Sequence, residues 1–168
     1  MRSFMAAVLL CASTLNAQTP SATDWKPLQF LIGTWQGKFS GQAQGAGSYS
    51  FTPELNGHVL VRHTLSSKTT QAAAGYDTHH EDVLYIYQDA AGQPYRAIYF
   101  DNEGHVIHYT VTTPSPTSAI FTSDVSQPGP QFRLSYTLQS GTMDGKFEVA
   151  APGQSAFQTY LSWSGPKQ

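Results

Sequence analysis

The sequence predicts an all-β domain: a single antiparallel up-and-down barrel of about ten strands, preceded by a short helical turn. From Gly33 onwards, apolar and polar residues alternate with the period of two that is typical of half-buried strands. The alternating runs are rich in Tyr, Phe, Val, Ile and Thr, and Gly, Pro, Asn and Asp bound them. Ten short strands with close turns favour an antiparallel sandwich or barrel.

The first 17 residues have the pattern of a secretory signal peptide. Arg2 supplies the positive charge, and an apolar run of nine residues follows from Phe4 to Ala12. That run is shorter than the roughly 20 residues that a membrane-spanning helix needs. Ala17 offers a small residue before a cleavage site. We therefore expect a secreted or periplasmic protein without a membrane span.

Residues 18–29 form an N-terminal segment, and residues 30–168 form the barrel domain. Asp24 can cap a helical turn over Asp24–Phe30, because Trp25, Leu28 and Ile32 lie close to one face of it. The strands are predicted at 33–40, 46–53, 57–66, 81–89, 94–101, 104–113, 117–123, 131–139, 142–150 and 156–164.

The turns between these strands are also readable. Asn56-Gly57 is a hairpin signal, and Gly45-Ala-Gly47-Ser48 reads as a turn. The longest connection, Ser66–His80, is of a length that is common in lids, binding loops and mobile segments.

Composition excludes several classes of protein. Charged residues make up 12% of the chain, roughly half the usual ~25%, and the net charge is -2. A disordered charged tail needs more charge, and a nucleic-acid binder needs a basic face. The one cysteine, Cys11, lies in the signal segment, so disulfides and thiolate zinc sites are not expected.

Several strands carry large residues on both faces, which suits a barrel whose interior includes a cavity. In the strand at 94–101, Tyr95, Ala97 and Tyr99 alternate with Arg96, Ile98 and Phe100. An inward arginine near tyrosine hydroxyls can hold a polar ligand group, while aromatic walls cover an apolar tail. The residues predicted to bind a ligand are Arg62, Arg96, Tyr99, His108 and Arg133, and further candidate tyrosines are Tyr85, Tyr87, Tyr109 and Tyr136.

Potential metal ligands are densest at the end of the long connection. Imidazole and carboxylate groups occur there together, although charged loop residues are usually just solvated. We therefore predict no metal site, and the weak candidates are Asp77, His79, His80 and Glu81. His105 and His108 lie three apart in one predicted strand, so they point to opposite faces.

The segment from Phe30 to Gly37 resembles the opening strand of the lipocalin and calycin group, whose mark is Gly-x-Trp, here Gly33 and Trp35. This resemblance implies that Gly33 and Trp35 close one end of the barrel. With Gly37, and with the stretches at 54–60 and 100–109, the chain looks most similar to the nitrobindin-type branch and to related secreted bacterial barrels of unknown function.

Two departures from those families stand out. Lipocalins often set an Arg or Lys on the last strand against the Trp, but the predicted last strand has neither, and only Lys167 lies beyond it. Nitrobindins hold haem through a C-terminal His, but no His follows His108. We therefore expect no haem by that route.

The function expected from the sequence is the binding of a small apolar or amphipathic molecule inside the barrel. No catalytic motif such as G-x-S-x-G, H-E-x-x-H or a P-loop is present. The alternatives are a haem or metal protein that uses His63, His105 or His108, an enzyme that uses a His and a Tyr, and a solid structural barrel. An inward His within hydrogen-bond reach of a Tyr or Asp would support the enzyme.

Overall fold

A computed structural model describes residues 22–124 and 129–168, except for the Ser66 side chain. The predicted signal segment lies outside the described residues. Across the described part of the chain, no helix is long and apolar enough to cross a membrane.

Ten antiparallel strands form a closed barrel, which confirms the predicted fold class. Each strand pairs with its neighbours in the sequence, and β1 pairs with β10 to close the sheet. This is the up-and-down connectivity of a calycin-like barrel. The strands are β1 (Gly33–Gly41), β2 (Ala43–Glu54), β3 (Val59–Ala72), β4 (Asp82–Gln88), β5 (Tyr95–Asp101), β6 (Val106–Ser115), β7 (Ser118–Ser123), β8 (Gln131–Gln139), β9 (Thr142–Ala150) and β10 (Gln158–Pro166).

The main difference from the predicted strands lies in β2 and β3, which are longer than expected. The predicted turn at Gly45–Ser48 is wrong, because these residues lie within β2 and pair with β3. A Cβ on Gly45 would clash with the Lys68 carbonyl and the Phe39 ring, so the glycine serves a close approach rather than a turn. The predicted loop at 66–80 therefore shortens to the residues between Ala72 and Asp82.

A 3₁₀ helix, Lys26–Leu31, covers one end of the barrel and agrees with the predicted helical turn. Its Leu28 and Leu31 are fully buried. The Trp35 indole Nε1 donates a hydrogen bond to the Leu31 carbonyl at 2.7 Å. The helix and the base of β1 are therefore joined by both apolar packing and a buried hydrogen bond.

Lys167 lies against the closed end, where the sequence had suggested no cation. Because β10 extends to Pro166, Lys167 forms a bridge with Trp35, and its Nζ is 5.5 Å from the centre of the indole ring. A Cβ on Gly33 would clash with the Lys167 side chain. Gly33, Trp35 and Lys167 thus form one packed closure, and the stated departure from the lipocalin pattern was wrong.

The inward side chains change character part-way along the barrel. Next to the closed end they form a dry aromatic and aliphatic core that includes Phe51, Leu60, Leu84, Phe121 and Tyr136. Tyr136 is central, because its ring contacts Tyr49, Phe51, Phe121 and Trp163, with centroids 5.2–6.2 Å apart. Towards the other end the barrel is open.

The buried Tyr136 hydroxyl has no hydrogen-bond partner within the described part of the chain, and burial raises its pKa. We predict that Tyr136→Phe raises the free energy of unfolding by about 1 kcal/mol, because it removes an unpaired polar group and keeps the ring. Tyr136→Leu, which loses the ring contacts, should instead lower it by about 2–3 kcal/mol. Urea unfolding of the three proteins measures this. A loss of stability in Tyr136→Phe would show that the hydroxyl is hydrogen-bonded.

Candidate functional site

The half of the barrel away from Trp35 contains a cavity of about 790 Å³. Its volume lies in the range of sites that hold small molecules. Aromatic and aliphatic side chains form most of its wall. These are Phe39, Tyr49, Tyr76, Tyr99, Ile107, Phe132, Leu134, Phe147, Val149, Tyr160, Leu161 and Trp163.

The Trp163 side chain forms part of the cavity wall, and glycines make its position possible. A Cβ on Gly145, its partner on β9, would overlap the indole ring, and a Cβ on Gly37 would lie 3.4 Å from it. The indole can therefore lie against the barrel wall rather than across the interior. The Trp163 Nε1 is buried beside the Tyr49 hydroxyl. Burial raises the pKa of Tyr49, and the hydrogen bond with Trp163 partly offsets this rise.

A buried ion pair between Arg62 and Asp82 stands at the inner end of the cavity. Arg62 Nη1 is 2.5 Å from Asp82 Oδ1, and the two side chains are only 12% and 11% exposed. The same oxygen accepts a hydrogen bond from Thr64 Oγ1 at 2.9 Å. The Arg62 guanidinium also lies 5.4 Å from the centre of the Tyr49 ring. The Arg62 Nε is buried and has no hydrogen-bond partner among the described residues.

His80 connects this ion pair with the mouth of the cavity. Its Nε2 is 3.5 Å from Asp82 Oδ2 and 3.0 Å from the Tyr99 hydroxyl. Its Nδ1 is 3.1 Å from Glu103 Oε1. Because Nε2 faces a carboxylate, this nitrogen carries a proton and donates, which leaves the Tyr99 O–H free to donate elsewhere.

The charges in this cluster stabilise one another. Hydrogen bonding to Asp82 and then to Glu103 outweighs burial and raises the pKa of His80 to about 9. Burial alone would raise the pKa of Asp82, but Arg62, His80 and Thr64 hold it well below its usual range. Burial raises the pKa of Tyr99 far above that of a free tyrosine. At neutral pH the cluster therefore holds charged Arg62, His80 and Asp82 and a neutral Tyr99.

The turn after β5 supplies the acidic side of the mouth. Asp101 Oδ1 accepts hydrogen bonds from the backbone N–H groups of Glu103 and His105, at 3.1 and 2.8 Å. Asp101 Oδ2 lies 2.8 Å from His105 Nδ1. The Asp101 side chain is 3% exposed, so its orientation is fixed by the turn itself.

Of the residues predicted to bind a ligand, Arg62 and Tyr99 line the cavity. The expectation that at least one of the three arginines faces inward is met by Arg62. Arg96 instead lies on the outer face, 2.5 Å from Asp124. Arg133 also lies on the outer face, where its Nε is 2.7 Å from Glu148 Oε2. His108 is exposed between the inward Ile107 and Tyr109.

The wrong placements follow from strand parity. Arg96 and Arg133 each alternate with the residues that fill the interior, so a strand without a bulge turns them outwards. Among the other tyrosines, Tyr109 and Tyr136 belong to the core, whereas Tyr85 and Tyr87 alternate with the buried Leu84 and Ile86 and lie on the outer face.

Only one of the four weak metal candidates joins a ligand set. His80 meets Asp101 and Glu103, whereas the His79 side chain is 92% exposed and its ring lies beside Thr78 and Asp77. Glu81 is exposed on the same connection. Sequence spacing could not reveal this set, because Asp101 and Glu103 come from a different turn. Of the three histidines considered as haem ligands, His105 lines the cavity and His63 and His108 do not.

No protein-family model matches the chain, and a comparison with curated proteins also finds no match. The likeness to a calycin barrel therefore rests on the strand connectivity alone. The resemblance to the nitrobindin-type branch stays a prediction.

The buried ion pair gives a test of the site's energetics. We predict that Asp82→Asn lowers the free energy of unfolding by about 3–5 kcal/mol, because it leaves the buried Arg62 charge without a counter-ion. The matched control is Asp124→Asn, which breaks the Arg96 pair of the same 2.5 Å length on the exposed face. That change should cost less than about 1 kcal/mol.

A double variant, Arg62→Met/Asp82→Leu, should recover at least half of the Asp82→Asn loss, because no unpaired charge is then buried. Denaturant unfolding measures all three. Equal losses at Asp82 and Asp124 would contradict the assignment of a desolvated pair.

Proposed function

We propose that the barrel binds a small, largely apolar molecule in its open half. The observation that carries this proposal is the cavity of about 790 Å³ with aromatic walls, next to a core that is otherwise tightly packed. A domain of this size fills its interior unless the space is used, since contacts across a void are lost. The solid-barrel alternative conflicts with this cavity.

Burial of apolar ligand surface supplies the driving force for binding. A ligand that buries about 250 Å² of apolar surface gains about 6 kcal/mol from desolvation. Loss of translational and rotational freedom offsets part of this gain. The stacked pair Phe132 and Phe147, with ring centres 5.7 Å apart, gives a flat wall suited to a planar ligand.

The polar end of the ligand should be a hydrogen-bond acceptor. The carboxylate of Asp82 is already occupied by Arg62 and Thr64, so it has little capacity left to accept from a ligand. The Tyr99 hydroxyl accepts from His80 Nε2 and keeps its own O–H for a partner. A ketone, ester or amide oxygen next to Tyr99 would satisfy that donor.

A second candidate function is acid–base catalysis in the same cavity. The specific observation is the chain Tyr99–His80–Glu103, in which each neighbouring pair lies within hydrogen-bond distance. A cavity-lining His therefore lies beside a Tyr, and such a pair favours an enzyme. A substrate oxygen bonded to Tyr99 would receive the phenol proton while His80 passes its Nε2 proton to the Tyr99 oxygen, so that the step ends with neutral His80 and neutral Tyr99.

The binding proposal is tested with N-phenyl-1-naphthylamine, a neutral probe whose fluorescence rises in apolar sites. We expect saturable binding to the unmodified protein. Ile107→Trp/Val149→Trp, which fills the cavity from two walls, should weaken it at least about tenfold. The matched control places the same side chains on the outer faces of the same strands, as His108→Trp/Lys146→Trp. Equal effects of the two double variants would contradict the cavity as the site.

The ligand's polar end is tested with two competitors of the same shape, 2-acetonaphthone and 2-ethylnaphthalene. The ketone should displace the probe at a concentration about tenfold lower, equivalent to about 1.4 kcal/mol for one hydrogen bond. Tyr99→Phe should remove most of this preference while leaving the hydrocarbon unaffected. A hydrocarbon as effective as the ketone would overturn the assignment of Tyr99.

A further inference from the structure

Three metal-ligating side chains meet at the mouth of the cavity. His80 comes from the connection before β4, Asp101 from the end of β5 and Glu103 from the turn that follows. One ligand atom of each lies within 4.8 Å of those of the other two. A divalent ion bonded to each at about 2.0–2.2 Å needs ligand atoms about 3–4 Å apart, so small side-chain rotations bring them into range.

The imidazole already has the orientation of a metal ligand. A ligating His usually donates its second ring N–H to a carboxylate, which fixes the tautomer and the ring. His80 Nε2 faces Asp82, which Arg62 and Thr64 hold in turn. The other nitrogen, Nδ1, therefore points towards Glu103. Asp82 and Arg62 are buried and are not among the three ligands. Their hold on the His80 ring is therefore a separate observation.

The carboxylates are positioned by the backbone on the other side. Two backbone N–H groups of the turn hold Asp101 Oδ1. Asp101 Oδ2 lies 2.8 Å from His105 Nδ1, and an ion bound to Oδ2 would replace this contact. Glu103 is 37% exposed and reaches both His80 and His105, at 3.1 and 3.8 Å. One side of the cluster thus faces the solvent and another the cavity.

We propose that His80, Asp101 and Glu103 bind a divalent transition-metal ion, with Zn²⁺ as the best match to one imidazole and two carboxylates. Three protein ligands leave a coordination position open, as in zinc sites that also hold a small molecule. All three side chains line the cavity. A ligand oxygen near Tyr99 would therefore lie near the ion. On binding, the metal replaces the proton between His80 Nδ1 and Glu103.

The test is calorimetric titration of the EDTA-treated protein with ZnCl₂. We expect one ion per chain, and an affinity that falls at least about tenfold in His80→Ala and in Glu103→Gln. His79→Ala is the matched control, because His79 is the next residue in the chain but lies outside the cluster. Its affinity should change less than twofold.

A second readout guards against a variant that fails to fold. Glu103 is on an exposed turn, so Glu103→Gln should keep the circular dichroism spectrum and melting temperature of the unmodified protein. Co²⁺ in place of Zn²⁺ should give visible absorption bands that this variant loses. Undetectable Zn²⁺ binding, binding unaffected by Glu103→Gln in a folded protein, or equal losses in His79→Ala would each overturn the proposal.

Discussion

The ion pair between Arg62 and Asp82 determines where the packed core ends and the cavity begins. Towards Trp35, the inward residues next along the same two strands are Leu60 and Leu84, both fully buried. Towards the mouth, Asp82 contacts His80, and His80 extends the polar cluster to Tyr99 and Glu103. Because a buried arginine needs a counter-charge, Asp82 stays ionised, and an ionised Asp82 fixes the His80 ring. The His80 ring, which lines the cavity, is thus held by a buried charge.

Much of the fold was predictable because local signals agree with one another. Strict alternation predicted eight of the ten strands within two residues of their observed bounds, whereas β2 begins three residues earlier and β3 ends six residues later than predicted. In β2, the sequence around Gly45 predicts a turn. Glycine is needed there for another reason, its contact with the Phe39 ring, which exists only once β2 pairs with β1. The closed end was predicted through Trp35, but Lys167 was missed, since only the register of β10 against β1 brings it over the indole.

The site was predictable only in part. Arg62 and Tyr99, two of the residues predicted to bind a ligand, line the cavity. Arg96 and Arg133 have the same residue type as Arg62 and similar strand surroundings, but they lie on the outer face. A shift of one residue along a strand moves a side chain from the inner face to the outer face, and the arginine itself does not indicate which face it occupies. His80 was considered only with its near neighbours in the sequence. Its contacts with Tyr99 and Glu103 depend on the pairing of β4 with β5.

The central claim is that the open half of the barrel receives a ligand, and three tryptophans allow a direct measurement. In a ¹⁵N-labelled protein each indole N–H gives one resonance. Trp25 and Trp35 are hydrogen-bonded to the carbonyls of Gly57 and Leu31 near the closed end, whereas Trp163 lines the cavity. Titration with 2-acetonaphthone should shift the Trp163 resonance in a saturable way and leave the other two in place. A Trp163 resonance that does not move, or a shift confined to Trp25 and Trp35, would contradict the account.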